Sequence, residues 1–452
     1  MHMSPDDIRT LFSRAMSEMY KQEVPQYDQL CDLVARINVQ TLERDAALAA
    51  SLAEGGQMER LDVERHGAIR VGTAQELATM RRLFAVMGMR PVGYYDLSHA
   101  GVPVHSTAFR PVDEASLTRN PFRVFTSLLR LELIADADLR QQAADILARR
   151  QIFTPRCLEL IAQAERDGGL SGAQAREFVA QALETFRWHS EATVDLPTYR
   201  RLRSAHALVA DIVCFKGPHI NHLTPRTLDI DAAQDGMPAS GLSAKAVIEG
   251  PPRRAVPILL RQTSFLALEE PIKFIGEGGQ GGESTHTARF GEIEQRGCAL
   301  TRKGRALYDE LLAEARLQAA QGTPMPQAMT RAFERFPDEL AALWREGLAC
   351  VCFRVDVKRL AAQRPPQGIG VEALVSGGWL HLEALTYEDF LPVSAAGIFR
   401  SNLGAEVHEN YGERGNQDVF EAALGAAVTD EITLYEAAEA ASLAACRRQI
   451  FA

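Results

Sequence analysis

The stretch ERHGAIRVGT (residues 64–73) predicts a short β-strand, with isoleucine and valine in it and Gly67 and Gly72 allowing other backbone to approach closely. Alternate residues of a strand share a face, so His66, Ala68 and Arg70 project together. Small Ala68 leaves an open floor between the other two. Their Cα atoms would stand roughly 13 Å apart at about 3.3 Å per residue. An arginine leaning along the strand shortens that gap to the length of a small dicarboxylate. In isolation, a half-exposed strand carrying a surface His and Arg reads the same way. The next stretch, TAQELATMRRLFAVMG (73–88), predicts a helix with Thr73 as its cap and Gly88 at its end. Strands are expected at Arg90–Asp96 and Val102–Phe109. Strand, helix, strand, strand is the pattern of a βαβββ-type module and points to an α+β fold.

Two further stretches carry groups of the same chemistry. CFKGPHINHLTPRTLDID (214–231) opens apolar, which predicts a buried strand, and then places His219, Asn221 and His222 between Pro218 and Pro225, with Arg226 directly after. The pyrrolidine rings stiffen this backbone, as a preorganised site requires. His219 and His222 are three apart and face opposite ways on an extended chain, so only one would reach a shared ligand. ARFGEIEQRGCALT (288–301) places Phe290, Glu292 and Glu294 on one face of a strand. Hydrogen-bonded turn histidines and a solvated acidic strand edge are the bland readings. Taken together, two histidines and one glutamate from three strands make the ligand set of a non-haem Fe(II) facial triad.

HGAIR (66–70), INHLTPR (220–226), GEIEQRG (291–297) and FLPVSAAGIFRSNL (390–403) resemble the 2-oxoadipate dioxygenase/decarboxylase family, also called 2-hydroxyglutarate synthases, over about residues 5–450. EIEQR is also similar to the metal-binding EIIQR-type strand of 4-hydroxyphenylpyruvate dioxygenase, which implies Glu292 as the ligand and leaves Glu294 second. The resemblance implies an α+β fold with a central mixed sheet or half-barrel of vicinal-oxygen-chelate type. It implies Fe(II) held by His66, His222 and Glu292, with Arg70 gripping the substrate's distal carboxylate and the backbone near Val393 and Ser394 lining the pocket. The reaction implied is conversion of 2-oxoadipate and O2 to 2-hydroxyglutarate and CO2, within lysine catabolism. The ligand set alone also suits an oxygen-independent Zn2+ or Mn2+ isomerase or lyase. A non-catalytic scaffold is a third reading, opposed by the concentration of His, Arg and Glu on predicted strands.

The bulk of the chain agrees with a soluble enzyme. Its 452 residues are 46% hydrophobic and 24% charged, with net charge −10. An acidic balance argues against a nucleic-acid surface, which needs clustered Lys and Arg. It leaves room for one arginine to dominate an anion pocket. Seven cysteines, an odd number without CxxC spacing, read as reduced thiols of a cytoplasmic protein. The N-terminus lacks an apolar signal core, and no run reaches the length of a membrane span. Oligomeric state leaves no mark in the sequence.

One interleaved metalloenzyme domain is therefore expected over 1–452. Its β-rich core would occupy about 58–115, 207–300 and 348–405, with flanking helices at 4–54, 301–347 and 428–450. A large helical insertion is expected over about 120–206, where alanine, leucine, glutamine and arginine dominate. IGEGGQGGEST (275–285) lacks the GK[ST] ending of a phosphate cradle and reads as a flexible loop near the pocket mouth.

Overall fold

The computed structural model describes residues 2–276, 282–287, 289–391 and 416–451. The chain divides into two compact units, each assembled from discontinuous segments, where the sequence reading expects one interleaved domain. The first comprises Met1–Glu249, Gln262–Glu294 and Pro392–Thr429; the second comprises Gly250–Arg261, Gln295–Leu391 and Asp430–Ala452.

The fold is α+β. In the first unit β1 (Arg65–Val71), β2 (Arg90–Asp96), β3 (Val104–Arg110), β4 (Arg123–Leu129) and β5 (Leu223–Pro225) form a mixed sheet in the order β2-β3-β4-β1-β5. β1 runs parallel to β4 and antiparallel to β5, while β2-β3 and β3-β4 are antiparallel. Gly93, at φ +71°, sits where the β2-β3 register shifts, a conformation that favours a residue without Cβ. Ile69, Val71, Val124, Leu128 and Phe109 point to one face of the sheet and join a core with Leu77, Met80, Leu83 and Phe84 of helix Ala74–Val86. Phe12 and Met16 of helix Pro5–Glu23 join the same core. Thr73 caps helix Ala74–Val86 in a reciprocal box with Glu76. The other face of the sheet presents His66, Ala68 and Arg70. One further pair, β6 (Leu260–Ser264) with β9 (Glu292–Arg296), brings in the acidic strand, and β7 (Glu269–Lys273) pairs with β8 (Glu283–Thr287).

In the second unit β10 (Val351–Val355) pairs antiparallel with β11 (Leu380–Ala384). Val351, Phe353, Leu374, Trp379 and Leu380 form a small core with Cys446 and Ile450 of helix Glu431–Phe451. All seven cysteines are free thiols. No helix among the described residues is long and apolar enough to cross a membrane.

Three local expectations are corrected. Of the apolar run at 212–215, Ile212 and Val213 end helix Ala207–Val213, Cys214 is its C-cap and Phe215 forms an isolated bridge with Ala192; His206 caps the helix start by accepting the Leu208 N–H at 3.0 Å. Nearly every residue of that helix is buried, and an all-round apolar segment carries no periodicity to separate helix from strand. The helical insertion expected over about 120–206 begins later, because RVFTSLL forms β4 at the centre of the sheet. Its alternation of β-branched and aromatic residues outweighs the helix-forming composition around it. Within the helical region expected over 301–347, the part from 325 on is two helices, Met325–Phe333 and Leu340–Arg345, with Pro337 between them. Residues 277–281 of the glycine-rich loop, together with Val393 and Ser394, lie outside the described residues.

Close packing ties this framework to β9. A Cβ added at Gly291 would stand 2.2 Å from Phe265 Cε1 and 2.9 Å from Leu30 Cδ2, both on core residues. Gly291→Ala should therefore destabilise the fold by about 1–3 kcal/mol, the usual range for overpacking, and displace Glu292 next to it. Thermal unfolding and metal titration of the variant check this; both unchanged would contradict the packing described.

Candidate active site

The register of the sheet sets out the site floor. Across the strands one row holds His66 between Arg123 and Thr224, the next holds Ala68, Phe125 and Ala108, and the third holds Arg70, Ser127, Ser106 and Tyr95. His66 and Arg70 thus stand at two ends of a floor whose middle includes two alanines.

Backbone hydrogen bonds lock the other two segments over this floor. Asn221 N donates to Ala68 O at 2.9 Å, and Phe290 N donates to Asn221 O at 3.1 Å. The buried Tyr20 hydroxyl reaches Asn221 O at 3.0 Å and Phe290 O at 2.7 Å. Each bond is one or two residues from a site side chain, so the positions of His66, His222 and Glu292 are backbone properties.

Among the described residues these three form the one His/Cys/Asp/Glu group suited to a metal ion: a donor atom from each lies within 4.8 Å of the others, and all three are buried. His66 Nε2 lies 3.0 Å from Glu292 Oε1, and the His66 and His222 rings stand edge to face at 5.4 Å. Glu292 Oε1 also accepts from Gln262 Nε2 at 2.6 Å and Thr224 Oγ1 at 3.2 Å. Glu292 Oε2 and His222 Nδ1 are buried with no hydrogen-bond partner among the described residues. Two unsatisfied acceptors in one buried cluster are costly without a cation, and imidazole with carboxylate is a donor set that divalent iron accepts. The residues fit a metal.

The electrostatics agree. Burial pushes His222 down to about 3, so its ring is neutral at physiological pH, as a ligand must be. Burial would raise the Glu292 carboxyl, but His222 and His66 outweigh it and hold the group below the usual range. Burial would likewise lower His66, yet Glu294 and Glu292 hold it above its ordinary value.

Glu294 does not join the cluster. Its Oε2 lies 2.8 Å from His66 Nδ1, which turns the other ring nitrogen toward Glu292. Arg123 approaches Glu294 at 3.8 Å and pairs with Glu64 at 2.8 Å. Glu64, fully buried, also takes Arg60 and Arg226, both at 2.9 Å. Burial alone would raise the Glu64 carboxyl, but the three arginines hold it well below the carboxylate range.

Among the other predicted residues, His219 lies apart from the cluster: its Nε2 is 3.1 Å from Asn221 Nδ2 and 3.4 Å from Asp211. Arg70 is buried and donates from Nη1 to Asp211 at 2.6 Å. Sequence reasoning passed over Thr224, Gln262, Arg123, Glu64 and Asp211. For Arg123 and Asp211 the one signal was a lone charged residue within an apolar run, PFRVF and ALVADIV; Thr224, Gln262 and Glu64 stand among other polar residues and carry none.

Known proteins with this architecture are close at hand. The family model for 2-oxoadipate dioxygenase/decarboxylase matches residues 12–402. A relative of that name from Pseudomonas putida is 59% identical over 99% of this chain and 98% of its own length. One from Escherichia coli is 56% identical, covering 98% of each chain. The crystal structure of hydroxyglutarate synthase from Pseudomonas putida, in complex with 2-oxoadipate, superposes with a TM-score of 0.92 at 56% identity, covering 100% of this chain and 99% of that one. The chain is an enzyme and belongs to the 2-oxoadipate dioxygenase/decarboxylase family.

Proposed function

We propose that this enzyme is an Fe(II)-dependent dioxygenase and decarboxylase that converts 2-oxoadipate and O2 to 2-hydroxyglutarate and CO2. The observation that carries the reading is the buried His66, His222 and Glu292 cluster, with two donor atoms unpartnered among the described residues. The 2-oxoadipate held by the Pseudomonas putida relative supports the substrate class.

Bound at this cluster, Fe(II) supplies Lewis acidity toward a 2-oxo acid and one-electron chemistry toward O2. The protein's part is placement. Glu294 holds His66 in one tautomer, and Gln262 with Thr224 holds Glu292 by Oε1, so that its other oxygen is presented to the site. Arg70, at the far end of the floor, takes the distal carboxylate through a charge-assisted contact that sets chain length and register. Ala68 and Ala108 leave room between the two ends. Burial of every named group excludes water, which strengthens each of these interactions.

Alanine at His66, His222 or Glu292 should abolish iron binding, read as iron per chain after reconstitution. Glu294→Gln should keep the site but weaken iron affinity about 10–100-fold, the usual effect of losing a residue that orients a ligand. Full affinity in Glu294→Gln would remove it from this role. Arg70→Lys keeps the charge and loses the planar fork. Its kcat/KM for 2-oxoadipate should drop about 10–100-fold, the loss of a charge-assisted hydrogen bond of about 1.5–3 kcal/mol, with iron content unchanged. Undiminished turnover would dismiss the clamp. The reaction itself is tested by oxygen electrode and product mass on iron-reconstituted enzyme. Stoichiometric O2 loss with 2-hydroxyglutarate is expected, whereas turnover without O2 uptake would point to an oxygen-independent isomerase or lyase.

A further inference from the structure

Beyond the metal cluster the first unit buries a second set of ionisable groups around Asp211. This residue lies on helix Ala207–Val213 with its side chain 2% exposed. Oδ2 accepts from Arg70 Nη1 at 2.6 Å; Oδ1 lies 2.9 Å from His286 Nε2 and 3.4 Å from His219 Nε2. His286, on β8, is held in turn by the buried Tyr199, whose hydroxyl lies 3.0 Å from Nδ1. Aromatic rings wall the set in: Phe215 is 4.8 Å from His286, and Trp188 is 4.7 Å from His219. Burial would raise the Asp211 carboxyl, but His219 and Arg70 outweigh it and keep the group ionised.

We infer that Asp211 is a positioning residue for substrate selection: it acts through Arg70, is itself held by His286 and Tyr199, and sets the preference for a 2-oxo acid bearing a second carboxylate. The inference rests on the Arg70 clamp proposed above. A flexible arginine would lose rotamer freedom on gripping a carboxylate, and a misplaced grip would shift the reacting end of the substrate against the metal cluster. A buried carboxylate with donors on both oxygens cannot swing, so the guanidinium it binds is oriented before substrate arrives. Asp211 also offsets part of the Arg70 charge. An uncompensated buried guanidinium would attract any anion, whereas a partly neutralised one discriminates by geometry. Asp211 bonds Arg70 directly, so its effect on substrate travels through that guanidinium.

The test compares kcat/KM for 2-oxoadipate with that for 2-oxohexanoate, the analogue lacking the second carboxylate. It uses iron-loaded wild type, Asp211→Asn and His286→Phe. The preference for 2-oxoadipate should fall about tenfold or more in Asp211→Asn. It should fall in the same direction, by less, in His286→Phe, with iron content retained in both. A structural role alone would lower both substrates together and leave the ratio where it was; that result overturns the inference. If Asp211→Asn does not fold, the ratio in His286→Phe decides. A wild type with no preference for 2-oxoadipate would instead overturn the Arg70 clamp and this inference along with it.

Discussion

Two carboxylates, Glu292 and Glu294, are buried two residues apart on one face of β9, and the structure around them answers that burden. Removing one partner from a buried charge pair typically costs about 3–5 kcal/mol, so each compensating contact is structural as well as chemical. His66 lies between the two carboxylates, one ring nitrogen toward each. Glu294 has Arg123 beyond it, and Arg123 leads to Glu64 with its further two arginines. Glu292 has Gln262 and Thr224 on one oxygen and, among the described residues, no partner on the other. The two acids thereby take different roles: one is fastened into the protein, and the other faces the site.

The same arrangement explains why a cation suits the cluster. His66 is held above its ordinary value because two carboxylates flank it, so a proton there and a divalent ion beside Glu292 are alternative ways to neutralise one buried anionic site. His222 needs no such exchange, since burial already keeps it neutral. Iron loading should therefore be opposed by acid mainly through His66 and the carboxylates. At the other end of the floor, Arg70 with Asp211 repeats the logic with the signs reversed, a buried cation partly offset by a fixed acid.

The sequence was legible where periodicity and residue type agreed. ERHGAIRVGT read as a strand from its isoleucine and valine between two glycines, and period two then placed His66 and Arg70 on one face. The choice of His222 over His219 came from family resemblance and not from the residues. Its physical basis is visible only in the fold: Asn221 N bonds to Ala68 O and fixes which side of the segment faces the floor. Helix Ala207–Val213 was misread because it is apolar all round, and with it went Asp211, whose burial beside Arg70 depends on a contact 141 residues away in sequence. Arg123 was hidden for a related reason: a lone arginine in a buried strand gives no hint of its partners, Glu64 and Glu294.

The central claim is that His66, His222 and Glu292 together hold iron while Glu294 holds His66. Anomalous diffraction at the iron edge from iron-loaded crystals tests it most directly. The account predicts one peak bonded by His66, His222 and Glu292, with Glu294 on the far nitrogen of His66. A peak bonded by Glu294 or His219, or an iron-loaded protein with no peak between these residues, would contradict it.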